Sequence, residues 1–196
     1  MNAKAQPLGN YEVLLCVTGG IASYKSADLA SALIQAGAGV SVAMTDAAAQ
    51  FVTPLTFQAL TGRQVHTSLW QSAEDYRSQH ICLTELADLM VIAPATANMI
   101  GKMASGIADD LVSTLALSAH GSCGVLLAPA MNTRMWDSPA VQGNIEKIAA
   151  WGVNVVGPAA GRLACGTIGI GRMAEPEDIF QAATEVLLSN PPKRTA

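Results

Sequence analysis

From Tyr11 onward the chain alternates short apolar runs with longer stretches of helical periodicity. The runs Glu12–Val17, Gly39–Met44, Leu89–Ala93, Gly124–Ala128 and Asn154–Val156 are apolar almost throughout and do not alternate with polar residues. That is the pattern of strands covered on both faces. Between them, Ala27, Ala30, Leu33 and Ile34 share one face of a helix that stops at Gly37, and Ile179, Ala183, Val186 and Leu187 form a similar stripe. Ser138-Pro139 and Glu175-Pro176 read as helix starts, with proline at the first helical position, where its missing N–H costs nothing.

Strands alternating with helices predict an α/β fold: a single-domain, Rossmann-like (flavodoxin-like) doubly wound parallel sheet with helices on both faces. One domain is expected over residues 11–188, without repeat or linker. Residues 1–10 and 189–196 are expected to be N- and C-terminal tails, disordered over about Met1–Gly9 and Ser189–Ala196.

Composition narrows the function. With 51% hydrophobic residues in a chain of 196, a sizeable core is available and disorder is excluded. The balance of 11 Lys+Arg against 15 Asp+Glu, with no basic stripe, predicts no nucleic-acid partner. The longest apolar stretches, Leu89–Ala97 and Val125–Met131, fall short of the ~20 residues of a membrane span. No signal peptide is legible before Gly9, so a cytoplasmic location is expected. Only 13% of residues are charged; a soluble monomer normally carries about a quarter, so a homo-oligomer is expected. Cys16, Cys82, Cys123 and Cys165 lack metal-ligand spacing, which predicts thiols and no metal. Cys165 stands apart in a polar, glycine-rich stretch.

In open α/β sheets ligands gather at the carboxyl ends of the strands. Strand one ends in Thr18-Gly19-Gly20-Ile21-Ala22-Ser23, a glycine turn opening a helix, whose free N–H groups, with the Thr18 and Ser23 hydroxyls, would cradle a phosphate. Neither GxGxxG nor GxxxxGK[ST] is present, which favours a mononucleotide over a dinucleotide or ATP. The same turn would equally serve a strand-to-helix junction without ligand. Thr45 and Asp46 follow strand two as candidate ligand contacts or helix caps. Pro94-Ala95-Thr96-Ala97-Asn98-Met99 follows the third apolar strand; its small residues admit a flat ligand, and Thr96 and Asn98 offer hydrogen bonds. Pro129-Ala130-Met131-Asn132-Thr133-Arg134-Met135-Trp136 follows the next, too rich in methionine, asparagine and tryptophan for a turn alone.

On these segments the chain resembles the homo-oligomeric flavin-containing cysteine decarboxylases over about Tyr11–Leu188. Thr18–Ser23 matches the family's glycine turn, Pro94–Met99 its PASANT motif, and Pro129–Trp136 its PxMNxxMW motif without a mismatch. His80 matches its catalytic histidine and Ala164–Met173 its active-cysteine motif. Thr96 keeps the hydroxyl of the PASANT serine; Met99 replaces the final threonine.

The resemblance implies FMN as cofactor, bound by Gly19, Gly20, Ile21, Ala22, Ser23, Thr45, Pro94, Ala95, Thr96 and Asn98. It implies decarboxylation of 4′-phosphopantothenoylcysteine to 4′-phosphopantetheine in coenzyme A biosynthesis, through a thioaldehyde and an enethiolate. His80 would be the acid/base, Asn132 would anchor the substrate carboxylate, and Cys165 would protonate the enethiolate. Met131, Met135 and Trp136 would wall the substrate. A trimer or dodecamer with flavin at a subunit interface is implied, as is a synthetase domain or protein as partner. Alternative activities are those of a peptidyl-cysteine decarboxylase, a flavin prenyltransferase, or a non-catalytic flavoprotein regulatory subunit. Pro129–Trp136 and Cys165 speak against the prenyltransferase, and retention of His80 and Cys165 against the regulatory subunit.

Overall fold

The apolar runs assemble into a six-stranded parallel sheet: β1 (Glu12–Val17), β2 (Gly39–Met44), β3 (Val65–His66), β4 (Leu89–Ala95), β5 (Gly124–Pro129) and β6 (Asn154–Val155). A computed structural model describes residues 6–70 and 78–194. The spatial order is β3-β2-β1-β4-β5-β6, so the winding reverses between β1 and β4, where doubly wound sheets place their ligands. The helices are α1 (Lys25–Gln35), α2 (Asp46–Ala49), α3 (Pro54–Thr61), α4 (Gln79–Leu86), α5 (Ala97–Ser105), α6 (Leu111–Ser118), α7 (Thr133–Trp136), α8 (Pro139–Ala149) and α9 (Pro176–Leu188). An antiparallel hairpin, β7 (Ala159–Arg162) and β8 (Ile168–Arg172), stands apart from the sheet.

Successive strand residues point to opposite faces, so β1 feeds two cores. Val13, Leu15 and Val17 pack with Leu29 and Leu33 of α1, Phe57 of α3 and Ile179 and Leu187 of α9. Leu14 and Cys16 pack with Ile92 of β4, Ile100 of α5, Leu115 of α6 and Ile148 of α8. Each large aliphatic side chain buried this way contributes about 1.5–3 kcal/mol. The sheet with its two helical layers is therefore the rigid body from which the strand-end loops project.

β1 and β2 have the expected bounds, and β4 and β5 run further, into the motifs that follow them. The two-residue β3 is too short to leave a period. The hairpin strands AAGR and IGIGR are glycine-rich and largely exposed, so no hydrophobic pattern announces them. The buried face of α1 is Ser26, Leu29, Ala30 and Leu33; Ala27 and Ile34 flank it, half-buried.

The expected disordered tails need correction where they are described. Leu8 is fully buried in the core, and its N–H bonds the Ala36 carbonyl at 3.0 Å. At the other end, Tyr11 Oη donates to the Asn190 carbonyl at 2.9 Å. Lys193 Nζ donates to the carbonyls of Thr84, Glu85 and Ala87 at 3.3, 3.0 and 2.5 Å, closing the carboxyl end of α4. Arg194 reaches Glu12 at 3.2 Å, a buried carboxylate that Arg63 already grips with two nitrogens. Among the described residues no helix is long and apolar enough to cross a membrane, and no cluster of His, Cys, Asp or Glu could hold a metal ion.

Candidate active site

At the carboxyl ends of β1, β2, β4 and β5 the chain turns at once into a helix, and at three of these junctions a side chain caps the new helix. Thr45 Oγ1 accepts from Ala48 N at 3.1 Å, Thr96 Oγ1 from Met99 N at 3.3 Å, and Asn132 Oδ1 from Arg134 N at 2.9 Å. Each such cap satisfies one orphan donor of its helix's first turn and fixes the loop. The loops and the hairpin enclose a cavity of about 1150 Å³, above the ~300–1,000 Å³ usual for small-molecule sites. A cofactor and a substrate can share it.

The glycine turn forms one wall. A side chain at Gly19 would collide with the Ala47 carbonyl carbon at 2.8 Å, whereas at Gly20 it would meet only Thr96 Cγ2 at 3.9 Å, in the open cavity. Gly19, Gly20, Ile21 and Ala22 line the cavity, with Lys25 beside them. First-turn N–H groups, an open space at Gly20 and a nearby ammonium fit one phosphate, as on FMN. The hydroxyl part of that expectation is corrected. Thr18 Oγ1 donates to the Pro94 carbonyl at 2.6 Å and accepts from Thr96 N at 3.2 Å. Ser23 is buried, its one hydroxyl hydrogen shared between the carbonyls of Thr18 and Gly20, 2.9 and 2.6 Å from its oxygen. Both shape the turn and leave the ligand to the backbone.

Of the residues singled out in the sequence, Thr45, Thr96, Asn98, Met131, Asn132, Met135 and Cys165 line the cavity. Pro94 and Ala95 do not: both are buried at the end of β4, behind the wall they support. Trp136 is also outside the lining, and its carbonyl accepts from Gln142 Nε2 at 2.6 Å. His80 sits in the first turn of α4, half-buried and away from the lining of this chain's cavity. A single copy therefore gathers the cradle, the amide and the thiol, but not the imidazole.

The sharpest local geometry is at Cys165. Its Sγ receives Asn132 Nδ2 at 3.3 Å and lies 3.1 Å from Thr167 Oγ1. These bonds, first of all the one from Thr167, hold the Cys165 thiol below the usual cysteine range. The other thiols differ: burial pushes Cys16 well up, and burial also raises Cys123. Among the four cysteines only Cys165 is exposed.

The hairpin carrying Cys165 is pinned at its base. Gly171 presents its carbonyl to Met131 N at 2.9 Å, and a side chain at Gly169 would crowd Thr133 Cβ at 3.2 Å. Neither position has room for more than hydrogen.

Sequence reasoning missed most of the charges that line the cavity. Lys25 pairs with Glu175 at 2.8 Å, and Arg172 pairs with the same carboxylate, which Lys25 in particular holds below the usual glutamate range. Lys102 meets Asp109 and Asp110 at 2.6 Å each; burial disfavours its charge, but the two carboxylates outweigh that and raise its pKa. Arg162 also lines the cavity. Lys25 was within reach of sequence reading, two residues beyond the glycine turn. Arg162 and Arg172 are brought in by a hairpin that has no sequence period.

A family model described as Flavoprotein matches residues 1–188. The chain is 49% identical over 176 residues to the coenzyme A biosynthesis bifunctional protein CoaBC of Bacillus subtilis (strain 168), covering 90% of this chain and 43% of that protein. It thus spans less than half the length of this curated relative. Among solved structures it is similar to a cysteine-to-serine mutant of PPC decarboxylase complexed with pantothenoylaminoethenethiol, with TM-score 0.80 and 29% identity over 92% of this chain and 100% of that one. It is also similar to the FMN-binding protein AtHal3, with TM-score 0.81 and 30% identity over 93% of this chain and 99% of that one.

Proposed function

The chain belongs to the Flavoprotein family, and from that premise we propose that it carries out the FMN-dependent decarboxylation of 4′-phosphopantothenoylcysteine to 4′-phosphopantetheine in coenzyme A biosynthesis. The observation that carries this reading is the Asn132 amide on the Cys165 sulfur at the edge of a cavity large enough for flavin and substrate. The flavin supplies a two-electron acceptor that later returns the same electrons, so no net oxidation occurs.

The chain's own residues supply position and protons. The backbone at Gly19–Ala22 and Lys25 hold the cofactor phosphate, and Thr96 and Asn98 bound its flat part. Asn132 uses Oδ1 as a cap and one amide hydrogen on Cys165, which leaves the other amide hydrogen for the substrate carboxylate. Loss of CO₂ then occurs at a carbon already fixed beside the thiol. Cys165 gives its proton to that carbon, and Met131 and Met135 exclude water around it. Among the cationic side chains of the lining, Arg162 suits the substrate's own phosphate.

His80 serves as the acid/base of the first half-reaction. It lies outside the cavity of its own chain, so the proposal includes a homo-oligomer, a trimer or a dodecamer, with the flavin at a subunit interface. The setting is the cytoplasm, with residues 11–188 as the decarboxylase module and a phosphopantothenoylcysteine synthetase domain or protein as partner, as the bifunctional relative suggests.

Cys165→Ser tests the reading. Serine is a far weaker acid than a thiol of pKa about 8.5, so the variant should release CO₂ and accumulate a product lighter by two hydrogens, seen by mass spectrometry. Normal phosphopantetheine formation by that variant, or no CO₂ from the wild type, overturns it.

A further inference from the structure

The Cys165 thiol has a second neighbour that neither the motif reading nor the family comparison assigns. Thr167 Oγ1 lies 3.1 Å from Cys165 Sγ, and no other partner of that hydroxyl is present among the described residues. The main chain enforces the arrangement: Leu163 N donates to the Thr167 carbonyl at 2.8 Å, and Gly166 N to the Leu163 carbonyl at 2.9 Å. Gly166 turns the chain with φ +87°, a conformation that side-chain-bearing residues rarely adopt. The loop thus folds back on itself, with both Thr167 and Asn132 within hydrogen-bond reach of the sulfur. Threonine is β-branched and stiff at χ1, so its hydroxyl is held in place where a longer side chain would wander.

We propose that Thr167 is a positioning residue that aims the Cys165 thiol at the substrate carbon and stabilises the thiolate formed when the thiol gives up its proton. The inference rests on the decarboxylase reading above. In the step concerned, the S–H bond breaks and a C–H bond forms at the carbon that has lost CO₂. The S–H electron pair stays on sulfur, and the enethiolate becomes a thioaldehyde ready to take back its two electrons from the reduced flavin. The sulfur left behind is an anion at an exposed loop, where two donors, Asn132 Nδ2–H and Thr167 Oγ1–H, can converge on it. Hydrogen bonds to the charged form are the general means of making a group a stronger acid. The lowered Cys165 pKa agrees, with the Thr167 hydroxyl its largest cause, ahead of Asn132.

The test uses the flavin-loaded wild type with Thr167→Val, which keeps the branched shape and removes the hydroxyl, and Thr167→Ser, which returns it. The first readout needs no turnover: the pH dependence of Cys165 alkylation by iodoacetamide, followed by mass spectrometry. Thr167→Val should move that profile up by roughly half a unit to one unit, and Thr167→Ser should restore it. The second readout is the product ratio from phosphopantothenoylcysteine. Thr167→Val should keep CO₂ release within about twofold while the oxidised enethiol rises several-fold over phosphopantetheine.

An unmoved alkylation profile in Thr167→Val overturns the proposal, as does failure of Thr167→Ser to restore it, which would assign the role to packing. A moved profile with an unchanged product ratio overturns it too, because the thiol would then be tuned for nothing in this reaction. If the wild type releases no CO₂, the decarboxylase reading fails, and the proposal with it, whatever the alkylation profile says about the hydrogen bond.

Discussion

Replacing Gly171 with alanine attacks the joint between the Cys165 hairpin and the Asn132 loop. Gly171 has φ +144°, where a side chain is strained by about 1–3 kcal/mol. The added methyl would overlap the Met131 carbonyl oxygen and sit 3.3 Å from both Met131 C and Thr133 N. Overpacking of this kind costs about 1–3 kcal/mol, and the Met131 N–Gly171 O bond, worth about 1 kcal/mol, cannot survive it. The sum is not paid by the whole fold, because the hairpin can swing away: Ile168 is 85% exposed and Ile170 46%, so little apolar surface holds it down. Gly171→Ala should therefore lower Tm by only a few degrees, at about 2–4 °C per kcal/mol for a chain of this size, while exposing residues 159–172 to limited proteolysis. FMN binding should persist, since the Gly19–Ala22 cradle is untouched. Phosphopantetheine formation should fall by about a hundredfold, the usual effect of ångström-scale misplacement. A variant with wild-type protease resistance and turnover would refute the claim that this glycine contact seats the hairpin.

Four other outcomes are expected. The protein should purify yellow with non-covalent FMN, and Gly20→Val should lose the flavin while melting like flavin-free wild type, because its side chain would enter only the ligand's space; retained flavin in that variant would move the phosphate elsewhere. His80→Asn should keep FMN and lose CO₂ release, as flavin spectra and headspace analysis will show. Light scattering should find a trimer or a multiple of it, and a stable flavin-loaded monomer would contradict the interface reading. Burial holds the His66 pKa below its ordinary value, so the neutral form belongs to the fold. The stability contributed is complete above the unfolded imidazole pKa of about 6.5 and is lost as pH falls from there through the lower folded pKa. Thermal melts of His66→Asn should accordingly lose less Tm between pH 7 and pH 5 than the wild type.

What the sequence revealed and what it hid follow from where each residue's energy lies. β1 and most of β2 are buried, so their boundaries are written as runs that are apolar almost throughout. Pro129–Trp136 was legible because two methionines and a tryptophan beside an asparagine, just beyond a strand, are more than a turn or a helix cap alone requires. Ser23 and Thr18 misled because a hydroxyl in a glycine turn reads the same whether it faces a phosphate or its own backbone; only the bonds to Gly20 and Pro94 carbonyls separate the two. Arg162 was invisible, and Arg172 was legible only as part of the Ala164–Met173 motif and not as a charge on the cavity, because their hairpin is held by glycine contacts and main-chain bonds, and neither leaves a hydrophobic period.

The stapling of the last described residues bears on where this unit can be cut. Sequence matching draws the boundary at Leu188, yet Lys193 closes the carboxyl end of α4 through three carbonyls, and its own N–H binds Asp88, whose other carboxylate oxygen takes Glu12 N. A gene trimmed at Leu188 would leave those carbonyls to water, strip Arg194 from the buried Glu12, and loosen the far end of the helix whose first turn bears His80. For anyone grafting this module, shortening it or fusing it to another protein, the usable boundary lies at Arg194 or beyond. The half-dozen residues between the two cut sites separate a folded graft from one with a frayed α4.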